Sequence, residues 1–212
     1  MILQTIEHPE YLSIHDNAGI ISFGADQEWF PMLWQRRAGC GPTTASNMML
    51  YFQQRLHPKR VQKEEAIQLM QEMWKLITPG IMGVHLLSQF TKGFDAYLAS
   101  TSFELQAHTL KISRAKERRP SLSEVVDFLI SSFKADSPVA FLNLSRGSLT
   151  NLDEWHWVTL VGIEGEEEGQ GVSVTVYDAA LSWKIDLGSW LESTTRGGGF
   201  ISYRPSASQE GR

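Results

Sequence analysis

The chain has 212 residues, of which 42% are hydrophobic and 20% charged, a composition typical of a globular protein with a substantial core. Its net charge of −5 argues against a nucleic-acid-binding protein, whose surface is normally basic. No stretch approaches the roughly 20 apolar residues that a membrane-spanning helix needs. We therefore expect one domain over residues 1–205, followed by a frayed tail at 206–212, that binds neither nucleic acid nor membrane.

The N-terminal sequence and the cysteine content indicate the cellular compartment in which the protein is expected. The segment MILQTIEHPEYLSIHD contains acidic residues and histidines where a secretory signal peptide has a basic start and an apolar centre. The single cysteine cannot form an internal disulfide, which suits a reducing compartment and leaves its thiol free to react. We therefore expect a cytoplasmic protein.

The first sixty residues predict a hairpin, a loop and a helix. Segments YLSI and GIISFGA flank the turn-like cluster HDNAG, which is the pattern of two short strands joined by a turn. The stretch from Trp34 to Pro42 contains two glycines and a proline, and it is predicted to be a loop. Apolar residues at helical spacing begin at Thr43 and predict the first helix.

Three more helices are predicted between residues 62 and 135. Apolar periodicity indicates helices over residues 62–77 and 84–98. A capping box formed by Ser121 and Glu124, directly after Pro120, predicts the start of another. These elements form a helical part at about residues 40–135.

A basic run from Lys111 to Arg119 precedes Pro120. It is the one exception to the acidic balance of the chain. We interpret it as a solvated approach to the helix that follows, because runs of charge are usually solvated.

The character of the sequence changes after Asp136. Five strand-like segments follow, separated by turn residues or by acidic and glycine-rich loops: PVAFLNL, WHWVTLVGI, GVSVTVYDA, SWKIDL and GGFISYR. Short connections favour antiparallel pairing, so residues 136–205 are predicted to form an antiparallel sheet. Helices followed by a sheet predict an α+β fold, in which the helical part packs on the sheet.

The segment Gly39-Cys40-Gly41-Pro42 is the most informative in the chain. Glycines on both sides of the cysteine allow close backbone approach, and Pro42 is suited to the first turn of a helix. Cys40 is therefore expected at or just before a helix N-terminus, where the partial positive charge favours thiolate over thiol. The alternative, an inert and buried cysteine, fits this polar and glycine-rich turn less well.

A thiol nucleophile needs a base, and six histidines compete for that role. His156 begins the strand-like segment HWVTLVGI and has a tryptophan on each side, which would partly exclude water. The others stand next to a proline, in turns, in a polar connection, at a helix start or in a strand-like run: His8, His15, His57, His85 and His108. Histidine and cysteine nowhere have the spacing of metal ligands, and we expect neither a metal nor a cofactor.

Asp178 ends the next strand-like segment, VSVTVYDA. If this segment and HWVTLVGI form a hairpin across EGEEEGQG, the start of the first strand lies opposite the end of the second. His156 and Asp178 then become neighbours, and the carboxylate can hold the imidazole in one orientation. The alternative for Asp178 is a simple turn former, in which case Asp153 is the next candidate.

The string Q-x(4)-C-G-P-T-T, followed far downstream by an H-W-V strand and a Y-D strand, resembles the papain-like cysteine peptidase superfamily. The similarity is greatest to its bacterial branch of double-glycine leader peptidase-like enzymes, and it covers roughly residues 30 to 205. The resemblance implies Cys40 as nucleophile, His156 as base, Asp178 as orienting residue and Gln35 as oxyanion donor. The step from Gln35 to Cys40 is one residue shorter than in many papain-like enzymes.

The resemblance implies a hydrolase that cleaves a peptide or another amide through a thioacyl-enzyme. An acyltransferase would use the same site with an amine as acceptor, and the sequence does not separate the two. A papain-like binding module without turnover is the remaining alternative, and the presence of all three triad residues in the family's order disfavours it. The substrate and the oligomeric state are left open.

Overall fold

The computed structural model describes residues 1–166 and 171–205. The α-helices are α1 (Leu33–Ala38), α2 (Cys40–Leu56), α3 (Lys63–Leu76), α4 (Leu87–Leu98), α5 (Leu122–Lys134) and α6 (Leu187–Ser193). The strands are β1 (Ile2–Thr5), β2 (Ser13–His15), β3 (Ile21–Phe23), β4 (Val61–Gln62), β5 (Leu105–Ile112), β6 (Val139–Asn143), β7 (His156–Gly165), β8 (Ser173–Asp178), β9 (Leu181–Asp186) and β10 (Gly198–Pro205). The predicted tail at 206–212 lies outside the described residues, as does most of the β7–β8 turn.

The main sheet has the strand order β5-β10-β6-β7-β8-β9, with β1 paired to the far end of β7. Every pairing in it is antiparallel. A small second sheet has the order β3-β2-β4 and contains the predicted hairpin. The structure thus confirms the predicted α+β class and the five predicted strands.

Three features of the prediction need correction. The main sheet extends beyond residues 136–205, because β1 and β5 pair with strand edges that would otherwise be left unsatisfied. The stretch from Trp34 to Pro42 is not a loop: α1 occupies most of it, and α2 begins at Cys40 rather than at Thr43. The predicted helix over 84–98 begins later, at Leu87.

Helix α2 is the central element of the core. Nearly all residues from Gly41 to Phe52 are buried, as expected for a helix that is covered on all sides. It packs on α3, on α4 and on β7. The predicted capping box is present at α5, where Glu124 N donates to Ser121 Oγ and Ser121 N to the Glu124 carboxylate.

Helices cover both faces of the sheet. On β10, Tyr203 packs against Phe94 of α4, with ring centroids 4.4 Å apart. The preceding residue, Ser202, points to the opposite face of the sheet, where it hydrogen-bonds Ser132 of α5. Successive side chains of a strand point to opposite faces, so α4 and α5 lie on opposite sides. The part of the chain that the structure describes contains no helix with the length and apolar composition needed to cross a bilayer.

A buried carboxylate joins the end of α5 to the N-terminal segment and to α2. Asp136 accepts a hydrogen bond from Glu7 N at 2.7 Å and one from the Tyr51 hydroxyl, and its other oxygen lies 2.9 Å from Arg55 Nε. Its backbone φ is 52°, in the left-handed region that aspartate and asparagine tolerate best. This one residue therefore satisfies three donors, one from the N-terminal segment and two from α2.

Replacing Asp136 with asparagine is expected to lower the free energy of unfolding by about 2–3 kcal/mol, because Arg55 then faces an amide rather than a carboxylate. The loss should be smaller than the 3–5 kcal/mol typical of fully buried pairs, since the Arg55 side chain is 35% exposed. Urea unfolding followed by circular dichroism measures it. Asp127→Asn, on the exposed face of α5, is the matched control. Equal stabilities of the two variants would contradict the assigned role.

Candidate active site

Cys40 is the first residue of α2 and is partly exposed to solvent. Thr43 N donates to Gly39 O at 2.9 Å, and Pro42 has no N–H group. The N–H groups of Cys40 and Gly41 therefore remain in the first turn without an intrahelical acceptor. Together with the helix dipole they make the surroundings of the sulfur favourable to negative charge.

The α1–α2 junction depends on glycine at position 39. A Cβ there would lie 2.4 Å from Gln35 O and 2.5 Å from a ring carbon of Phe30, so any other residue would clash with both. The φ angle of Gly39 is −87°, so the requirement is for space and not for an unusual backbone conformation. This close approach allows two helices to meet with one residue between them, and it sets the position of Cys40.

A buried hydrogen bond holds α2 at a defined offset along β7. Asn47 Nδ2 donates to Thr159 Oγ1 at 3.0 Å, and Asn47 Oδ1 accepts from Ala25 N at 2.8 Å. Asn47 lies two helical turns after Cys40, and Thr159 lies three residues after His156. The bond therefore aligns the two elements that carry the cysteine and the histidine. Asn47 carries no signal in the sequence, since only its partner across the core reveals its role.

His156 and Asp178 are neighbours, as the hairpin predicted. His156 Nε2 and Asp178 Oδ2 are 2.7 Å apart, and the two side chains are 12% and 17% exposed. The pairing of Thr159 with Tyr177 in the β7–β8 ladder brings the start of one strand to the end of the other. The Cys40 side chain is close enough to the imidazole to contribute to the raised pKa of His156. Because Asp178 engages Nε2, Nδ1 is the ring nitrogen left for the thiol.

The charge state of His156 reflects these two neighbours. Burial opposes protonation of the imidazole, but the hydrogen bonds and charges of Asp178 and Cys40 outweigh it and raise the pKa of His156 to about 10. The imidazole is therefore held as imidazolium at neutral pH. A thiolate next to an imidazolium is the reactive pair of cysteine-dependent acyl chemistry.

Gln35 is buried in α1, but it is not joined to the other three predicted residues. Its Oε1 accepts from Met32 N at 3.3 Å, and its Nε2 donates to Gln71 Oε1 at 3.3 Å. Within residues 1–166 and 171–205, no hydrogen bond links its side chain with Cys40 or His156. The structure thus brings together Cys40, His156 and Asp178, and it places Gln35 one helix earlier with its amide already engaged.

Asn143 supports the segment that leads into His156. It is fully buried, and it is the ladder partner of His156 between β6 and β7. Its Nδ2 donates to Asp153 O at 2.5 Å, and its Oδ1 accepts from Trp190 Nε1 at 2.8 Å. The side chain of Asp153 is exposed and has no hydrogen bond to His156 among the described residues, so Asp178 is the carboxylate at the histidine.

The described residues contain no group of three histidine, cysteine, aspartate or glutamate side chains arranged to hold a metal ion. The sequence matches no protein-family model, and no curated protein matches it with statistical significance. The chemistry assigned to this site therefore rests on the geometry of its own residues.

Proposed function

We propose that this protein is a papain-like, cysteine-dependent hydrolase of amide or related acyl bonds. The observation that carries the proposal is the position of His156, which is bound by Asp178 at Nε2 and has its pKa raised by Asp178 and by Cys40 at a helix N-terminus. An inert buried cysteine has no need of a paired imidazole and carboxylate. The order of cysteine on a helix, then histidine and aspartate on a sheet, supports membership of the papain-like superfamily.

The proposed reaction has two steps. The Cys40 thiolate attacks the substrate carbonyl, and the His156 imidazolium protonates the leaving amine, which gives a thioacyl-enzyme. The neutral imidazole then removes a proton from water, which attacks the thioester and releases the acid. Asp178 keeps the imidazole oriented and stabilises its charged form in both steps.

The oxyanion of each tetrahedral intermediate needs donors beside the sulfur. The N–H groups of Cys40 and Gly41, in the first turn of α2, are the nearest backbone candidates. Gln35 is retained as a proposed second donor, and in that role its amide would exchange Gln71 for the substrate oxygen.

Exposed apolar side chains border the site on three segments and support a peptide-like substrate. They lie on α1 ahead of Cys40, on the segment before α4, and next to His156. Single exposed apolar residues are ordinary, but a concentration of large ones around one site indicates a binding surface. The residues are Met32, Leu33, Trp34, Ile81, Met82, Leu86 and Trp155. A cytoplasmic location is part of the same proposal, because a lone catalytic thiol must stay reduced.

Acylation by p-nitrophenyl acetate tests the proposal. We expect a burst of nitrophenolate, an acetyl group located at Cys40 by mass spectrometry, and slow turnover. Cys40→Ala should abolish the burst. A saturable increase in turnover on addition of an amino acid, with the N-acetyl amino acid recovered as product, would assign the acyltransferase alternative. Equal acetylation of lysines in both proteins, with no adduct at Cys40, would refute the proposal.

A further inference from the structure

A cavity of about 570 Å³ is connected to the candidate active site through the residues next to Cys40 and His156. Its walls are the first turn of α4 with the residues before it, strand β5, the end of β6 and the start of β10. Leu142 of β6 pairs with Trp157, which stacks on Phe90 of α4, so the cavity is on the face of the sheet covered by α4. Its lining includes His85, Leu87, Ser88, Lys111, Arg114 and Arg196.

Contacts connect the cavity wall to residues that flank the catalytic residues in the chain. Val84, which precedes the lining residue His85, lies 3.2 Å from where a Cβ of Gly41 would be. Its carbonyl accepts a hydrogen bond from Trp157 Nε1 at 2.6 Å. On the other side, the Arg196 guanidinium lies 5.2 Å from the ring centroid of Trp155, the residue before His156. The wall therefore contacts the neighbours of both Cys40 and His156.

The charged side chains that line the cavity are all positive. Lys111, Arg114 and Arg196 line it, and no carboxylate does. None of the three forms an ion pair with a carboxylate in the described part of the chain. A second cavity, of about 550 Å³, has charges of both signs, because its lysine and arginine are accompanied by Asp186 and Glu192.

The first turn of α4 adds to this positive character. Gln89 N and Phe90 N both donate to Leu86 O. The N–H groups of Leu87 and Ser88 have no intrahelical acceptor, and both residues line the cavity. A helix N-terminus favours bound anions, and three unpaired cations around the same space reinforce that preference. An acidic protein that concentrates positive charge beside its catalytic thiol gains attraction for an anionic substrate.

We propose that this cavity binds an anionic group of the substrate, a carboxylate or a phosphate, and so selects amides that carry negative charge near the scissile bond. The inference rests on the proposed function, because it assigns the substrate class of that site. It also gives a role to Lys111 and Arg114, the part of the basic run that reaches the cavity.

Matched electrophilic probes test the selectivity. Peptidyl acyloxymethyl ketones are made in pairs that differ only in glutamate or glutamine at the first, second or third residue from the reactive carbonyl. In at least one pair, the glutamate probe is expected to label Cys40 about tenfold faster, the effect of one charge-assisted contact. A third member of each set, with phosphoserine, tells a phosphate preference from a carboxylate preference. Equal rates throughout all sets would overturn the inference and leave the proposed function intact.

Two triple variants locate the effect. Lys111→Met, Arg114→Gln and Arg196→Gln together remove the charge of the cavity, and the rate ratio of glutamate to glutamine probes should fall to about one. Arg60→Gln, Lys75→Met and Arg118→Gln remove the same charge from exposed positions outside it, and this control should keep the full ratio. A ratio that falls equally in both variants would show general electrostatic attraction and overturn the assignment to the cavity.

Binding of small anions tests the cavity without any chemistry at Cys40. The wild-type protein is titrated with glutarate, with inorganic phosphate and with neutral glutaramide, while the backbone amide resonances of Leu87 and Ser88 are followed. Glutarate or phosphate should shift them, glutaramide should not, and the cavity variant should lose the response. Absence of any shift would overturn the inference. A normal shift in a protein whose cysteine no probe labels would support the anion site and refute the hydrolase.

Discussion

Replacing His156 with alanine is expected to slow acylation of Cys40 by p-nitrophenyl acetate about 10⁴-fold at pH 7, the upper end of the range for general acid–base groups. The variant lacks the imidazolium that stabilises the Cys40 thiolate, whereas p-nitrophenolate leaves without the help of an acid. Stopped-flow detection of nitrophenolate gives the rate, and the mass of the adduct confirms the site.

The pH dependence of the wild type follows from the same residue. The pKa of His156 is raised to about 10, so the imidazolium is present below that pH and is lost as the pH rises through it. Turnover of an amide substrate should therefore fall on the alkaline side near pH 10, as the general acid disappears. His108→Ala, at an exposed position of β5, is the control and should retain both the rate and the profile. Rapid acylation of Cys40 in the His156 variant would show that the histidine is not its base.

Replacing Asp178 with asparagine is expected to lower turnover about 10²-fold or more, while the fold stays intact. Asparagine has the same shape but no charge, so the imidazole loses both its orientation and the interaction that most raises its pKa. The alkaline limit should therefore move below pH 10. The loss should be smaller than for Cys40→Ala, because the nucleophile and the base are still present.

A matched control for this variant is Asp127→Asn, which removes an exposed carboxylate of α5 without touching the site. Thermal unfolding of both proteins separates a catalytic defect from a folding defect. If Asp178→Asn keeps the wild-type rate and alkaline limit, the hydrogen bond between His156 and Asp178 is structural and the triad is wrong.

Local patterns predicted the sheet-borne half of the site. Alternating apolar residues in HWVTLVGI and VSVTVYDA identify two strands, and a short connection between them permits only a hairpin. A hairpin brings the start of β7, with His156, to the end of β8, with Asp178, whereas the register shift between Leu160 and Gly162 is seen only in the structure. The capping box at Ser121 was predictable for the same reason, because both of its partners lie within one helical turn.

The prediction was wrong where a short element depends on distant contacts. Helix α1 has six residues, too few to be stable by propensity alone. It is held by Arg36, whose guanidinium donates to Phe30 O at 2.7 Å, and by Gln35, which bonds Met32 and Gln71. The two glycines and the proline of this stretch indicated a loop. In the fold, Gly39 instead allows α1 and α2 to approach closely. The same junction determines where the Gln35 amide lies.

The sequence by itself determined the residue types of the site, the helix that begins near Cys40, and the strand pairing that joins His156 to Asp178. Those features depend on spacing within one or two neighbouring elements. Only the tertiary structure brought Cys40 to His156, because α2 meets β7 through buried packing and the bond from Asn47 to Thr159. The tertiary structure alone also assembled the cationic cavity, whose lysine and arginines come from β5, from the segment after β5 and from the segment before β10. Contacts between segments distant in the chain leave no periodic signal, since each partner acquires its role only from the other.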